Sequence, residues 1–531
     1  MSFTSLTFLL FAALTVLVYY LVPGKVQWVV LLVASLAFYA SAGVWYLPFI
    51  LVTVASTYLC AYLMARRARR DDAYLAEHKA DMDKDARKAF KAKGKKARFG
   101  ILLVALILNF GILGVLKYTG FVMEGIGGIV SLFGGGSVSV PTLIVPLGIS
   151  YYMFRSTSYA IDVYRGKTEA ATNPARYALF VCFFPSIVQG PISRYGDLAP
   201  QLFAPHKASW DNLSQGFLRI LWGYFKKLVI ADTAMIAVKV IIGAPNEFTG
   251  MYVLLAIVLY SAVIYGDFTG GIDVTIGLSR MLGLEVAENF DRPFSSRSTQ
   301  EYWNRWHITM GSWFTDYVFY PLSICKPMQR LTKWSKAHLG KVVGMRLPVY
   351  LATLVTWFLT GLWHGASWNF IVWGVLNGVV ILVSRELSPL YAKFHKRFPR
   401  LGENVVYGGF CAVRTFFLMG SIRILDVYRD VPVTARAFFS MFYDFASWGE
   451  LFDGRAIGYL DVSVASWVVL IAAVVTVFIV SRMGREKPVA ARLSAHPVAY
   501  AAVCAVLVTV IVILGTYGIG YNAGDFIYGQ F

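Results

Sequence analysis

Long apolar runs separated by short polar connections dominate the chain from its first residues. The runs at 3–22, 26–42, 46–65 and 99–117 are each close to the roughly 20 residues that a helix needs to cross a bilayer. Similar runs return in the second half, at 347–362, 366–384, 406–425, 465–481 and 498–518. This pattern predicts an all-α polytopic membrane protein of roughly 11 to 13 helices.

The stretch 141–325 departs from this simple pattern. Its apolar segments are interrupted by Pro146, Arg155, Asp162, Pro185, Gln189, Pro191, Arg194, Lys226, Lys227, Asp232, Asp267 and Asp273. Broken helices are tolerated in a bilayer only where they pack within protein or line a cavity, and ionisable residues at such depth mark functional pathways. We therefore predict re-entrant or broken helices around a central tunnel in a core at 141–385, between N-terminal membrane helices at 1–120 and C-terminal membrane helices at 400–531.

Composition and charge distribution support the membrane assignment and suggest an orientation. Of 531 residues, 57% are hydrophobic and only 15% are charged, against about 25% charged in soluble domains, which excludes a soluble enzyme or a nucleic-acid-binding protein. The net charge of +19 concentrates in connections. The segment 65–98 holds 13 basic and 6 acidic residues, and 326–346 and 482–492 are also basic. The positive-inside rule places these three loops in the cytoplasm and both termini outside.

Two histidines stand out as candidates for chemistry. His307 lies in a Trp-rich polar motif, and His364 lies within an apolar segment, where a histidine is costly unless it is paired or hydrated. Eight of the 14 Trp fall between 303 and 373, around both histidines. A packed structural histidine and an interfacial Trp belt are the alternatives. The glycine-rich stretch 125–136 lacks a phosphate-loop pattern and is expected to form a flexible turn.

Other catalytic and metal-binding patterns are absent from the sequence. No GxSxG elbow, HExxH pair or CxxC pair occurs, and the five Cys are scattered. We therefore expect no bound cofactor or metal ion, no protein nucleophile, and histidine as the main candidate for a base.

Five ordered segments are similar to signatures of the membrane-bound O-acyltransferase family. They are FFPSIVQGPISRY at 183–195, GYFKKLVIAD at 223–232, DFTGGID at 267–273, ENFDRPFSSRSTQEYWNRWH at 288–307 and TGLWHGASWNFIVWG at 360–374. The chain most resembles the alginate O-acetyltransferase membrane subunits and the teichoic acid D-alanyl transfer membrane proteins. It departs from the pattern at Gly271 and Ile272, which replace Tyr-Ser, and at 414–425, which lacks an aromatic-rich GWxFFR run.

The resemblance implies a multi-pass enzyme of the cell (inner or cytoplasmic) membrane. It would move an acyl group, expected to be acetyl, from a cytoplasmic thioester such as acetyl-CoA or an acyl-carrier protein to a hydroxyl outside. The acceptor would be an extracytoplasmic polysaccharide or a hydrolase-like acetyltransferase partner. Membrane lipid is a further partner, and nucleic acid is not.

The resemblance also suggests roles for particular residues. His364 is expected to act as the general base, because a neutral imidazole suits deprotonation of a hydroxyl. His307 is expected to support it, together with Asn304 and Trp306, by orienting the acyl group, by donating to the oxyanion or by holding His364. The remaining substrate-binding candidates are Trp303, Arg305, Trp363, Asp267, Lys226 and Lys227. For the two lysines, snorkelling to the membrane surface is the alternative.

Two other functions remain open at this point. A polysaccharide or lipid-linked sugar transporter would also have polar residues at depth and a basic cytoplasmic face, but it does not account for two histidines in aromatic motifs. D-Alanyl transfer to teichoic acid is the alternative within the resemblance.

Overall fold

The computed structural model describes residues 1–134, 139–141, 143–484 and 489–517. Within this part, contacts divide the chain into two compact units. Unit 1 comprises Met1–Asn212 and Leu278–Ala287, and unit 2 comprises Leu213–Gly277 and Glu288–Phe531. Parts of the glycine-rich stretch 125–136, the basic segment 482–492 and the apolar run 498–518 lie outside the described residues, as does the end of the chain.

Unit 1 is built from long membrane-type helices and shorter buried ones. Its helices are α1 (Leu6–Leu21), α2 (Gln27–Ala42), α3 (Leu47–Glu77), α4 (Lys84–Leu132), α5 (Ile149–Arg165), α6 (Pro174–Cys182) and α7 (Tyr195–Phe203), with 3₁₀ turns at Gly24–Val26, Val44–Tyr46 and Phe184–Ser186. The basic segment 65–98 is largely helical, because α3 extends through it and α4 begins behind the N-cap Asp83.

Arg155 shows how unit 1 accommodates a charge in its interior. Its guanidinium is buried and donates to the carbonyls of Phe180, Val181 and Ser186 at 2.9–3.2 Å and to the Ser186 hydroxyl at 2.7 Å. A buried cation is costly unless its donors are satisfied. Arg155 therefore links α5 to the end of α6 and the turn that follows, which is a structural use of an ionisable residue at depth.

Unit 2 carries the rest of the helices. They are α8 (Trp210–Tyr224), α9 (Asp232–Gly243), α10 (Met251–Met281), α11 (Thr299–Arg305), α12 (Ile308–Phe314), α13 (Tyr320–Ile324), α14 (Lys326–His364), α15 (Trp368–Arg397), α16 (Pro399–Glu403), α17 (Val405–Tyr428), α18 (Val431–Ser440), α19 (Ala446–Phe452), α20 (Arg455–Gly458), α21 (Val464–Met483), α22 (Val489–Ser494) and α23 (Pro497–Leu514). Two segments, Phe225–Ala231 and Thr315–Phe319, are π-helical, and Pro293–Ser295 is a 3₁₀ turn.

The helix pattern confirms an all-α polytopic membrane protein. In the described part, nine helices are long and apolar enough to cross a bilayer. The shorter, broken helices concentrate between residues 149 and 324, as the polar interruptions predicted.

One local prediction was wrong, and one segment predicted as a cytoplasmic loop is helical. Helix α4 continues to Leu132, so Gly125 and Gly128 lie inside a helix instead of a turn. A glycine costs an exposed helix only about 1 kcal/mol, which a long apolar helix tolerates. The basic stretch 326–346 is a helical hairpin with a turn at Gly340, where φ is 76°, and the Ser335 hydroxyl donates to the carbonyl of Gly344 at 2.8 Å.

Candidate active site

A short antiparallel pairing in unit 2 holds His307 in position. Phe290 forms a bridge with Trp306, and the amide of Ile308 donates to the carbonyl of Asn289 at 3.0 Å. His307 has a left-handed backbone, with φ of 50°, which few non-glycine residues adopt. The pairing on one side and the start of α12 on the other impose this conformation. It turns the chain sharply and leaves the imidazole fully buried.

The side chain of Asn289 determines the tautomer of His307. Its Oδ1 accepts hydrogen bonds from the Thr309 amide at 3.0 Å and from the Thr309 hydroxyl at 2.9 Å. A backbone amide can only donate, so the accepting atom of Asn289 is its oxygen. The Nδ1 of His307, 3.3 Å from the same oxygen, must therefore carry the proton. In the neutral imidazole the lone pair is then on Nε2.

Burial keeps His307 in this neutral form. Desolvation lowers its pKa from 6.5 to about 3, because the charged imidazolium would lose its hydration. A neutral imidazole with a lone pair on Nε2 can accept a proton or a hydrogen bond there. It cannot donate from Nε2 to an oxyanion, which removes one of the three roles expected for His307.

His364 is the last residue of α14, at a point where α14 and α15 cross closely. A Cβ on Gly374 would lie 2.4 Å from the carbonyl oxygen of Trp357 and 2.9 Å from the Cα of Gly361, so only glycines permit this approach. The crossing places the ring of Trp373 on α15 against His364, with centroids 4.6 Å apart. His364 is buried by these contacts.

One indole contacts both histidines. The ring of Trp363 is 4.9 Å from that of His364 and 6.1 Å from that of His307. Phe268, which follows Asp267 on α10, packs on the other side of His307 at 4.8 Å. Two histidines separated by 57 positions in the sequence thus share one aromatic pocket.

Trp303 extends the aromatic pocket. Its ring centroid lies 4.6 Å from Trp357 and 5.8 Å from Trp373, the residue that contacts His364. Its Nε1 is buried and meets no hydrogen-bond acceptor among the described residues. An indole N–H can only donate, so Trp303 has a donor available for an oxygen of a bound molecule.

Arg423 is a site residue that sequence reasoning missed. It lies on α17 with its guanidinium carbon 4.3 Å from the ring centroid of Trp306, and it also donates to the Tyr302 hydroxyl. It is buried, and one of its terminal nitrogens has no hydrogen-bond partner in the described part of the chain. The signal available was the presence of two cations, Arg414 and Arg423, within the apolar run 406–425.

Asn304 and Arg305 lie apart from the histidines. Asn304 is exposed on α11, where its amide oxygen accepts from Gln300 at 3.4 Å. Arg305 pairs with Glu301 at 2.8 Å, one helical turn earlier. The amide that contacts His307 belongs instead to Asn289, inside the matching segment 288–307.

Lys226 and Lys227 are buried in the π-helical segment and paired with carboxylates of the same unit. Lys227 Nζ lies 2.6 Å from Asp267 and 3.0 Å from Asp232, and Lys226 Nζ lies 2.6 Å from Asp273. Snorkelling does not describe these lysines, because their heads remain buried with the carboxylates. Their ion pairs stabilise the packing of the π-helical segment against α10, next to Phe268.

Among residues 1–134, 139–141, 143–484 and 489–517, no three His, Cys, Asp or Glu side chains are grouped as they would be around a metal ion. The site therefore consists of two imidazoles, several indoles and one guanidinium.

Comparison with known proteins places these residues in a family context. The model of the membrane-bound O-acyltransferase family matches residues 169–425. The chain is 33% identical over 389 residues to a probable alginate O-acetylase AlgI of Azotobacter vinelandii, covering 73% of this chain and 69% of the relative. It is 28% identical to a peptidoglycan O-acetyltransferase of Helicobacter pylori, covering 70% and 67% of the two chains. It is also 28% identical to a teichoic acid D-alanyltransferase of Bacillus subtilis, covering 49% and 63%.

Proposed function

Since the chain belongs to the membrane-bound O-acyltransferase family and is a multi-pass membrane O-acyltransferase, we propose that it transfers an acetyl group from a cytoplasmic thioester to a hydroxyl outside. The donor is acetyl-CoA or an acyl-carrier protein. The acceptor is an extracytoplasmic polysaccharide or a partner hydrolase-like acetyltransferase that passes the group on. The single observation that carries the proposal is the pair of buried imidazoles that both pack near the ring of Trp363.

Acyl transfer from a thioester needs a base for the hydroxyl and a donor for the oxyanion. In our proposal His364 takes the proton of the hydroxyl as its oxygen attacks the carbonyl carbon. The C–S bond then breaks, and the thiolate leaves and is protonated by the imidazolium. The Trp303 indole N–H, which has no acceptor in the described part, donates to the developing oxyanion.

His307 supports this step through its unprotonated Nε2. Because Asn289 holds the proton on Nδ1, Nε2 can accept a hydrogen bond from an incoming hydroxyl or from His364. Arg423 on the face of Trp306 adds a positive charge beside the same pocket. A water-excluded aromatic pocket strengthens each of these interactions.

The charge distribution supports the proposed direction. The basic segments 65–98, 326–346 and 482–492 are proposed to face the cytoplasm, with the N-terminus and the C-terminus outside the cell (inner or cytoplasmic) membrane. Basic loops on the donor side also attract an anionic thioester. Cysteine labelling of 65–98 in intact cells tests this orientation, and access from outside would reverse it.

The decisive experiment measures acetyl release from labelled acetyl-CoA by purified protein in vesicles. His364→Ala should lower transfer by at least about 10²-fold while the protein still inserts and folds, and His307→Ala should cost less. If the two histidines act together in one step, the double variant should transfer acetyl groups at nearly the same rate as His364→Ala alone. Retained transfer in His364→Ala with loss in His307→Ala would exchange the two roles, and full activity in both would refute the proposed site.

The family assignment argues against the transporter alternative. The identity of the acyl group has to be determined by experiment. A D-alanyl thioester should be offered in the same assay, because one matching relative is a teichoic acid D-alanyltransferase. Transfer of D-alanyl but not acetyl groups would replace the proposed donor.

A further inference from the structure

A second region of unit 2 carries charge that the proposed chemistry does not use. A cavity of about 1100 Å³ opens between α15 and α17, beside the start of α11. Its lining includes Arg297, Arg385 and Arg414, and no Asp or Glu is among the described residues that line it. The cavity of about 670 Å³ elsewhere in the unit is different, because its three cations are matched by three carboxylates. Judged by the described residues that line them, the larger of these two cavities is the strongly basic one.

Contacts position two of the three arginines of this basic cavity, Arg297 and Arg414. Arg414 donates to the carbonyl of Arg297 at 2.9 Å, and the amide of Arg297 donates to Glu301 at 2.7 Å. The guanidinium of Arg297 lies directly over Gly408, where a Cβ would come within 2.9 Å of it. In the described part, none of the three arginines forms an ion pair with a carboxylate. The charges of Arg297 and Arg414 are therefore positioned, and no carboxylate of the described part neutralises any of the three.

The cavity also presents flat rings and hydroxyl groups. Tyr391, His395 and Tyr407 contribute to its wall, with the rings of His395 and Tyr407 5.7 Å apart. Ser298 and Ser384 supply hydroxyls. Arginine forks match phosphate oxygens, and aromatic rings stack on nucleobases. A phosphorylated ligand that also carries a planar base fits this combination.

The cavity and the aromatic pocket share helix α14. Thr353 lines the cavity, and His364 lies 11 residues further along the same helix, about 17 Å at 1.5 Å per residue. Trp357, on the part of α14 between them, packs on Trp303, as does Trp373. A long, flexible pantetheine arm would have to cover this kind of distance between a phosphate group and a reacting thioester.

We propose that this basic cavity binds the phosphate groups of the acyl donor, with coenzyme A as the ligand that uses all of its features. The inference rests on the proposed function, since it names where the donor is recognised. The end of the cavity at Tyr391 and His395 adjoins the basic residues Lys396, Arg397 and Arg400, consistent with a cytoplasmic opening.

The test compares Arg297→Gln, Arg385→Gln and Arg414→Gln with the wild type in acetyl transfer. Each should raise the KM for acetyl-CoA by about 10- to 100-fold, the loss expected for a charge-assisted hydrogen bond, and leave kcat within about twofold. The KM for acetyl-pantetheine, which lacks the phosphates, should not change. Arg400→Gln is the matched control, because it removes a cation near the same end of α15 without lining the cavity. An unchanged KM for acetyl-CoA in all three variants overturns the proposal.

Two further measurements separate the possible causes. Equilibrium binding of labelled coenzyme A, without turnover, should be lost in the triple variant. If the wild type binds coenzyme A through these arginines but transfers no acetyl group, the proposed function fails and the site stands.

The second measurement compares vesicles with and without anionic phospholipid. If the variants respond only to anionic lipid content, the cavity binds lipid headgroups and the donor assignment is wrong. Gly408→Ala, which displaces Arg297 without removing charge, should weaken coenzyme A binding in the same direction as Arg297→Gln.

Discussion

Replacing Asn289 should change the tautomer of His307 while its imidazole ring stays in the protein, so the two contributions to activity can be measured separately. Asn289→Leu keeps a side chain of similar size but removes the oxygen that accepts from His307 Nδ1 and from the amide and hydroxyl of Thr309. The hydroxyl can rotate to another acceptor and the imidazole can move its proton to Nε2, whereas the buried Thr309 amide keeps its proton. This buried donor, left without an acceptor, predicts a loss of about 1–3 kcal/mol in stability.

Activity should fall further than stability alone explains. One hydrogen bond contributes about 0.5–1.5 kcal/mol to the selection of the tautomer and ring orientation, which corresponds to roughly a 2- to 10-fold decrease in kcat. Asn289→Asp keeps the accepting oxygen and should retain both the tautomer and most of the activity. The assay combines thermal unfolding in detergent with kcat and KM for acetyl transfer across a range of pH.

Thr309→Val provides the control for a purely structural effect. It removes one donor to the same oxygen but leaves the bond between Asn289 and His307, so it should lower stability without changing the pH profile of kcat. The reasoning is refuted if Asn289→Leu and Thr309→Val lower kcat equally, or if Asn289→Asp is as inactive as Asn289→Leu.

Three further predictions follow from contacts elsewhere in unit 2. Gly374→Ala should force α14 and α15 apart and lower both stability, by about 1–3 kcal/mol, and acetyl transfer, whereas Gly409→Ala, where a Cβ meets nothing within 4 Å, should be neutral in both assays. Lys227→Met should destabilise the protein by about 3–5 kcal/mol, because it leaves buried carboxylates without this cation. Adding Asp267→Asn should recover part of the thermal midpoint. A raised donor KM without loss of stability would instead support the lysine as a donor contact. Arg423→Lys should lose the planar stacking worth about 0.5–2 kcal/mol and reduce kcat with little change in donor KM, and an unchanged kcat would contradict a role beside the pocket.

The hydropathy pattern determined most of the helical architecture. Runs of apolar residues must form helices in a bilayer, because every backbone polar group has to be satisfied within its own segment. This constraint is local, so the sequence predicted the long helices and the broken middle region. It misjudged 125–132, because glycine content describes the preference of single residues and not the helix around them, and it did not predict the helical form of the basic connection 326–346.

The motifs around His307 and His364 also identified the chemistry from the sequence alone, but not its arrangement. The tautomer of His307 depends on Asn289, 18 residues earlier, which was less conspicuous than Asn304 in the same segment. The contact of Arg423 with Trp306 joins residues more than a hundred positions apart. Such pairings arise when helices pack, and side-chain spacing along one helix carries no information about them.

Charge shows the same division between sequence and tertiary structure. The excess of Lys and Arg over acids was evident from composition and indicates which loops face the cytoplasm. Which cations are neutralised was decided by packing. Lys227 lies against Asp267 inside unit 2, whereas Arg385 and Arg414 meet at a cavity with no acidic side chain in its described lining. A charge acquires its partner only when distant segments come within a few ångströms of one another, because electrostatic attraction depends on distance in space and not along the chain.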